Sequence, residues 1–191
     1  MLAQIILKRL RSPVLDWKTI LYEFIQQQIT DYSFLPPDRR FSDSDLFLPD
    51  FNLPEDSVKN ILFMIDTSGS MSCEQITNVY SEVKGSVDQY DGNLKGWLGF
   101  FDAQVVAPIP FEDADELLSI KPAGGGGTSF HAVFEYVRDN MQNDLPACII
   151  IMSDGIAEYP DESAALGIPV LWIIVNESSQ PPWGKVIHLP A

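Results

Sequence analysis

Two hydrophobic periods alternate along most of the chain. Ile61 to Ile65, Ala147 to Met152 and Pro169 to Val175 are continuous apolar runs, the mark of strands buried on both faces. Between them, Ile76, Val79, Val83 and Val87 recur at helical spacing, as do Phe130, Val133, Phe134, Val137 and Met141. Ser72 opens the first of these helices, and Gln75 three residues later completes a capping box. Gly96 to Phe101 and Gln104 to Ile109 read as a hairpin closed by a tight Asp102-Ala103 turn. Residues 112–119 form a short acidic helix, and Lys185 to Leu189 a last edge strand. Four consecutive glycines, 124–127, precede Thr128 and Ser129.

The first 57 residues follow another pattern. Leu2, Ile5, Ile6 and Leu10 share a helical face over residues 2–11. Ser12 followed by Pro13 reads as an N-cap and first helical position, opening a helix that carries Trp17, Ile20, Leu21, Phe24 and Ile25 and stops near Thr30. Residues 31–57 hold four prolines and read as extended connecting chain. Tyr32, Phe34, Phe41, Phe47 and Phe51 are expected to pack it on the rest. The chain thus divides into an N-terminal helical and extended segment, 1–57, and a main domain, 58–191. Strands alternating with helices predict an α/β, Rossmann-like fold: a mostly parallel sheet, one antiparallel edge strand and helices on both faces. In such sheets ligands sit at the carboxyl ends of the strands.

Charge narrows the partners. The 191 residues include 27 acidic and 12 basic side chains, a net charge of -15. Residues 61–191 carry 18 of the acids and only 5 of the bases. Such a surface disfavours nucleic acid and anionic membrane, and suits a basic partner or one reached through a bound cation. No apolar run reaches the ~18–20 residues of a membrane span. Cys73 and Cys148 are too few for a disulfide scaffold and are read as reduced. The charges of residues 1–10 follow the apolar residues, opposite to a secretion signal, so a cytoplasmic location is expected.

The candidate chemistry lies where strands end. Asp66-Thr67-Ser68-Gly69-Ser70 follows the first apolar run, Ser153-Asp154-Gly155 follows the run at 147–152, and Thr128 closes the glycine loop. Two carboxylates with several hydroxyls, and no His or Cys set, suit a hard cation such as magnesium. Gly69 and the four glycines permit close backbone approach. Simpler readings exist. Asp66 and Asp154 could cap the helices that follow. A phosphate cradle at the glycines would want a following Lys-Ser/Thr, which is missing. An aspartyl nucleophile would want an acid at Ser68.

These three segments, in this order, resemble the metal-ion-dependent adhesion site of von Willebrand factor A (VWA) domains. Asp16-Trp17, Asp31-Tyr32-Ser33, Arg39-Arg40-Phe41, Pro54 and Phe101-Asp102-Ala103 extend the resemblance, nearly over the full length, to a bacterial VWA-like domain found after a metallopeptidase-type domain. The resemblance implies that Ser68 and Ser70 ligate the ion, and that Thr128 does so directly or through water. Asp66 and Asp154 would act mostly through water, or one of them directly, and one position would stay open for a partner's Asp or Glu. Gly69, Gly127, Ser129 and Gly155 would support the loops. Ser129 departs from the pattern, which often has an acid after the threonine. The His-Glu-x-x-His helix of a metallopeptidase is missing, and His131 and His188 are the only histidines. The expectation is therefore a non-enzymatic, magnesium-dependent adaptor (manganese or calcium as alternative ions), belonging to a longer protein or its remnant. A MoxR-type AAA+ ATPase is the partner suggested by family analogy. The rival readings are a non-catalytic, substrate-presenting part of a metallopeptidase-type hydrolase and a metal-free structural module.

Overall fold

In the computed structural model the described residues are 9–28, 33–37, 49–50 and 58–189. They form helix α1 (Trp17–Gln28), a two-stranded antiparallel ribbon of β1 (Ser33–Pro37) and β2 (Pro49–Asp50), then β3 (Val58–Asp66), α2 (Cys73–Gln89), β4 (Leu94–Phe101), β5 (Val105–Phe111), α3 (Ala114–Ser119), α4 (Phe130–Asn140), β6 (Cys148–Ser153), a 3-10 turn at Glu162–Ala165, β7 (Val170–Ile174) and β8 (Lys185–His188). The main sheet runs β5-β4-β3-β6-β7-β8. All neighbours in it are parallel except β4 and β5, so the single antiparallel strand lies at the edge, as the hairpin pattern predicts. No helix among the described residues is long and apolar enough to cross a membrane.

The period of two explains why the central runs are wholly apolar. Ile61, Phe63 and Ile65 of β3, with Cys148, Ile150 and Met152 of β6, enter a core shared with α1, α2 and α3. Leu62 and Met64, with Ile149 and Ile151, enter a second core shared with α4 and the 3-10 turn. A strand covered on both faces has no polar face to show. Truncating one of these large core side chains to Ala costs about 2–5 kcal/mol. The helix at Ser72 begins as expected: the Ser72 hydroxyl accepts the Gln75 N–H (3.2 Å), and the Gln75 side chain accepts the Ser72 N–H (2.9 Å).

The N-terminal expectation needs correction. Helix α1 starts at Trp17, not behind Ser12. Its cap is Asp16, whose carboxylate accepts the Thr19 N–H at 3.2 Å and hydroxyl at 2.8 Å. Residues 11–15 instead form an irregular strap along α2. The Glu82 carboxylate accepts the N–H groups of Val14 (2.6 Å) and Leu15 (3.2 Å), and the Ser81 hydroxyl accepts that of Arg11 (3.0 Å). Pro13 rests on Gly85, where an added Cβ would fall 2.3 Å from the proline ring. These tertiary bonds hold Ser12 and Pro13 outside the helix that their local pattern proposes. Residues 9–11 are likewise not helical, and the rest of the expected first helix lies outside the described residues. So do Arg39, Arg40 and the side chains of Tyr32, Phe34, Phe41, Phe47 and Phe51.

Candidate metal centre

The chain leaves β3 toward β4 on one side and later returns to place β6 on the other. That reversal opens a crevice at the carboxyl ends of β3 and β6, the place where parallel sheets bind ligands. Asp66 ends β3 and is fully buried. Its Oδ1 accepts the Ser68 N–H (2.8 Å), and its Oδ2 accepts the hydroxyl of Ser153, the last residue of β6 (2.6 Å). Burial pushes its carboxyl above the ordinary 3.8; the bonds from Ser153 and Ser68 oppose this, and the negative charge of Asp154 adds to it. Asp154 is itself buried, with Oδ1 accepting the Ile156 N–H (3.0 Å). Among the described residues neither carboxylate forms an ion pair with Lys, Arg or His.

Hydroxyls stand beside this buried charge. Ser68 Oγ and Ser70 Oγ are 3.1 Å apart, the first buried and the second at the surface. The loop that carries them is stitched to the glycine loop. Gly69 N–H donates to the Gly126 carbonyl (2.9 Å), and the Thr67 hydroxyl donates to the carbonyls of Ala123 (2.8 Å) and Phe101 (3.1 Å). Gly124, at φ +133°, passes so close to Thr67 that an added Cβ would lie 2.1 Å from its Oγ1. Only glycine fits there. Thr128 is half-buried and follows directly on this loop. Among the described residues its hydroxyl makes no hydrogen bond, unlike that of Thr67. Ser129 serves as N-cap of α4, its hydroxyl accepting the Ala132 N–H (3.3 Å). Gly127 has open space around it, whereas Gly155, at φ +74°, is pressed against Ser179 and Tyr159.

The structure thus ties Asp66, Ser68 and Ser70 into one bonded group, sets Asp154 near Asp66, and couples the glycine loop before Thr128 to Gly69. Two contributors escape sequence reasoning. Ser153 is visible only as part of a strand-terminal triplet, and its bond to Asp66 depends on β3 and β6 being neighbours. Asp102 reads as a turn residue, yet its carboxylate accepts the N–H groups of Gly125 (3.1 Å) and Gly126 (3.0 Å). No group of three or more His, Cys, Asp or Glu side chains able to hold a metal occurs among the described residues. An ion here would depend on hydroxyl oxygens together with the two carboxylates. Two buried carboxylates without a cationic partner, next to paired hydroxyls, suit a hard divalent cation.

Comparisons with known proteins bear on the family. No curated protein matches the chain. Among solved structures it is similar to an aerotolerance-related membrane protein from Bacteroides fragilis, with 21% identity over 62% of this chain and 67% of that one and a TM-score of 0.45. It is also similar to three N-terminal domains of the type V pili tip protein Mfa5 from Porphyromonas gingivalis, with 20% identity over 52% of this chain and 20% of that one and a TM-score of 0.44. Residues 61–190, from the first buried strand past the last, match the VWA-like domain (DUF2201) family, and the chain belongs to that family.

Proposed function

We propose that this chain is a protein-binding module that holds a magnesium ion at the β3–β6 crevice and uses it to capture an acidic side chain of a partner protein. VWA-like domains typically mediate protein–protein interaction, and membership of the family supports the general role. The observation that carries the finer reading is the buried pair Asp66 and Asp154, without a cationic partner among the described residues, beside hydroxyls 3.1 Å apart. Ser68, Ser70 and Thr128 would hold the ion, with Asp66 and Asp154 compensating its charge. Neutral hydroxyl ligands leave much of a dication's charge unspent, so the bound ion supplies an attraction for an outside carboxylate. An acidic domain could then bind an acidic group. We place this activity in the cytoplasm, with both cysteines as thiols, and name a MoxR-type AAA+ ATPase as the partner class to test first. Manganese and calcium are the alternative ions.

The test is calorimetric titration of magnesium, then manganese, into metal-stripped protein and into the Asp66→Ala/Asp154→Ala variant. The expected result is saturable one-site binding that the variant loses. Equal binding by both proteins would sink the assignment of these residues.

A further inference from the structure

The four glycines that precede Thr128 present an energetic problem. Glycine loses more conformational freedom on ordering than any other residue. Residues 124–127 have no side chains with which to hold themselves, and all four are exposed. Two of them, Gly124 and Gly125, have φ near +135° (+133° and +136°). The order of this loop must therefore be imported from elsewhere.

One side chain supplies most of it. Asp102, at the end of the β4–β5 hairpin, accepts the Gly125 and Gly126 N–H groups on Oδ2 and the Gln104 N–H on Oδ1 (2.9 Å). Its own carbonyl accepts the Ser129 N–H (2.9 Å), and its N–H donates to the Gln104 carbonyl (3.0 Å). One residue thus grips the chain on both sides of Thr128. Through the bond from Gly69 N–H to the Gly126 carbonyl, the grip passes on to the loop of Ser68 and Ser70. Gly126 lies against the carboxylate, where an added Cβ would meet Oδ2 at 3.1 Å. The backbone N–H groups, that of Gln104 foremost, hold the carboxyl below its ordinary value, so it is ionised at neutral pH. Ionised acceptors make the stronger hydrogen bonds. The Asp102 Oδ2 is thus engaged with the glycine loop and its Oδ1 with the hairpin's own Gln104.

We infer that Asp102 is the positioning residue of the ion site: its carboxylate clamps the glycine loop so that the Thr128 hydroxyl is presented together with those of Ser68 and Ser70. This inference rests on the cation-binding reading above. It adds a residue that touches neither ion nor partner, and it makes ion affinity depend on the hairpin at the edge of the sheet.

The experiment compares wild type, Asp102→Ala, Asp102→Asn and Asp66→Ala by manganese titration, with amide hydrogen exchange measured on the metal-free proteins. Asp102→Ala is expected to weaken manganese binding by about 10–100-fold, the usual effect of removing a supporting partner of a metal ligand. Exchange at Gly125 and Gly126 should quicken while the amides of β3 and β6 stay protected. Asp102→Asn keeps one carbonyl acceptor and the shape of the side chain, so it should recover part of the affinity and serves as the variant least prone to misfold. A merely structural role would slow or speed exchange across the sheet and would not grade with the acceptor. Wild-type affinity in Asp102→Ala, with binding still lost in Asp66→Ala, would overturn the positioning role and leave the ion site standing. No saturable binding by wild type would overturn the ion site and this inference with it.

Discussion

Glu82, midway along α2, and Asp66, at the end of β3, are both buried carboxylates, and they are treated in opposite ways. Glu82 accepts N–H groups from Val14 and Leu15 of the N-terminal strap and the indole N–H of Trp17 at the start of α1 (3.1 Å). Gln89 extends the seam, accepting the Trp17 N–H (2.7 Å) and donating to the Leu15 carbonyl (2.9 Å). Asp66 receives one N–H and one hydroxyl, and the charged group acting on it, Asp154, has the same sign. Burying charge is costly unless donors or opposite charges answer it. At Glu82 the chain answers with its own backbone, and the result is a lock. At Asp66 it holds back cationic partners among the described residues, and the result is a demand that a cation can meet.

The contrast breaks most directly at the lock. Glu82→Ala leaves the buried Trp17 indole N–H and the part-buried N–H groups of Val14 and Leu15 without an acceptor, and should destabilise the fold by about 1–3 kcal/mol, read by urea denaturation. Cation affinity should stay at the wild-type value. A parallel loss of affinity would show that the two regions are not independent. Next in size, Asp66→Asn should weaken manganese binding by at least about 100-fold, more than loss of a supporting residue usually costs. Metal-free stability should fall little or rise, because a buried charge is removed while hydrogen bonding to Ser68 and Ser153 can persist. If instead this variant unfolded as easily as Glu82→Ala, Asp66 would be structural in the same sense as Glu82.

Each region also has one glycine on which its neighbour rests. Gly85→Ala would push a Cβ into Pro13, and should cost roughly 1–3 kcal/mol with no change in cation binding. Gly124→Ala would push one into Thr67 and should do the reverse, loosening the loops of the candidate site while the strap stays docked. Thermal melts and manganese titration on both variants test the pairing. The smallest effect concerns the thiols. Burial pushes Cys148 up to about 12 from the ordinary 9.0, whereas Cys73 is exposed. At pH 8 a thiol reagent should label one cysteine in the native protein and two in the unfolded one. Because the folded value is the higher, the stability tied to this protonated thiol is whole below pH 9 and is lost as pH climbs toward 12. A second thiol reacting quickly in native protein would contradict the burial that underlies this.

Local pattern carried much of this molecule. The apolar runs at 61–65, 147–152 and 169–175 announce strands because a strand covered on both faces must be apolar throughout. Ser72 and Gln75 announce a helix start because both capping bonds lie within one turn. The Asp66-to-Ser70 stretch and Asp154 are legible as candidate chemistry because their residue types and strand-end positions are written in short segments. Tertiary structure decided what depends on distant residues meeting. Glu82 sits beside Val83 and reads as a polar-face residue until the strap covers it. Asp16 rather than Ser12 caps α1, because Glu82 and Gly85 hold residues 13–15 out of the helix. Ser153 reaches Asp66 across 87 positions, and Asp102 reaches Gly125 across 23. Periodicity reports which way one element faces. It carries no record of which loop will lie opposite, because sheet order and loop closure set that, and the polar bonds that shape this site follow from both.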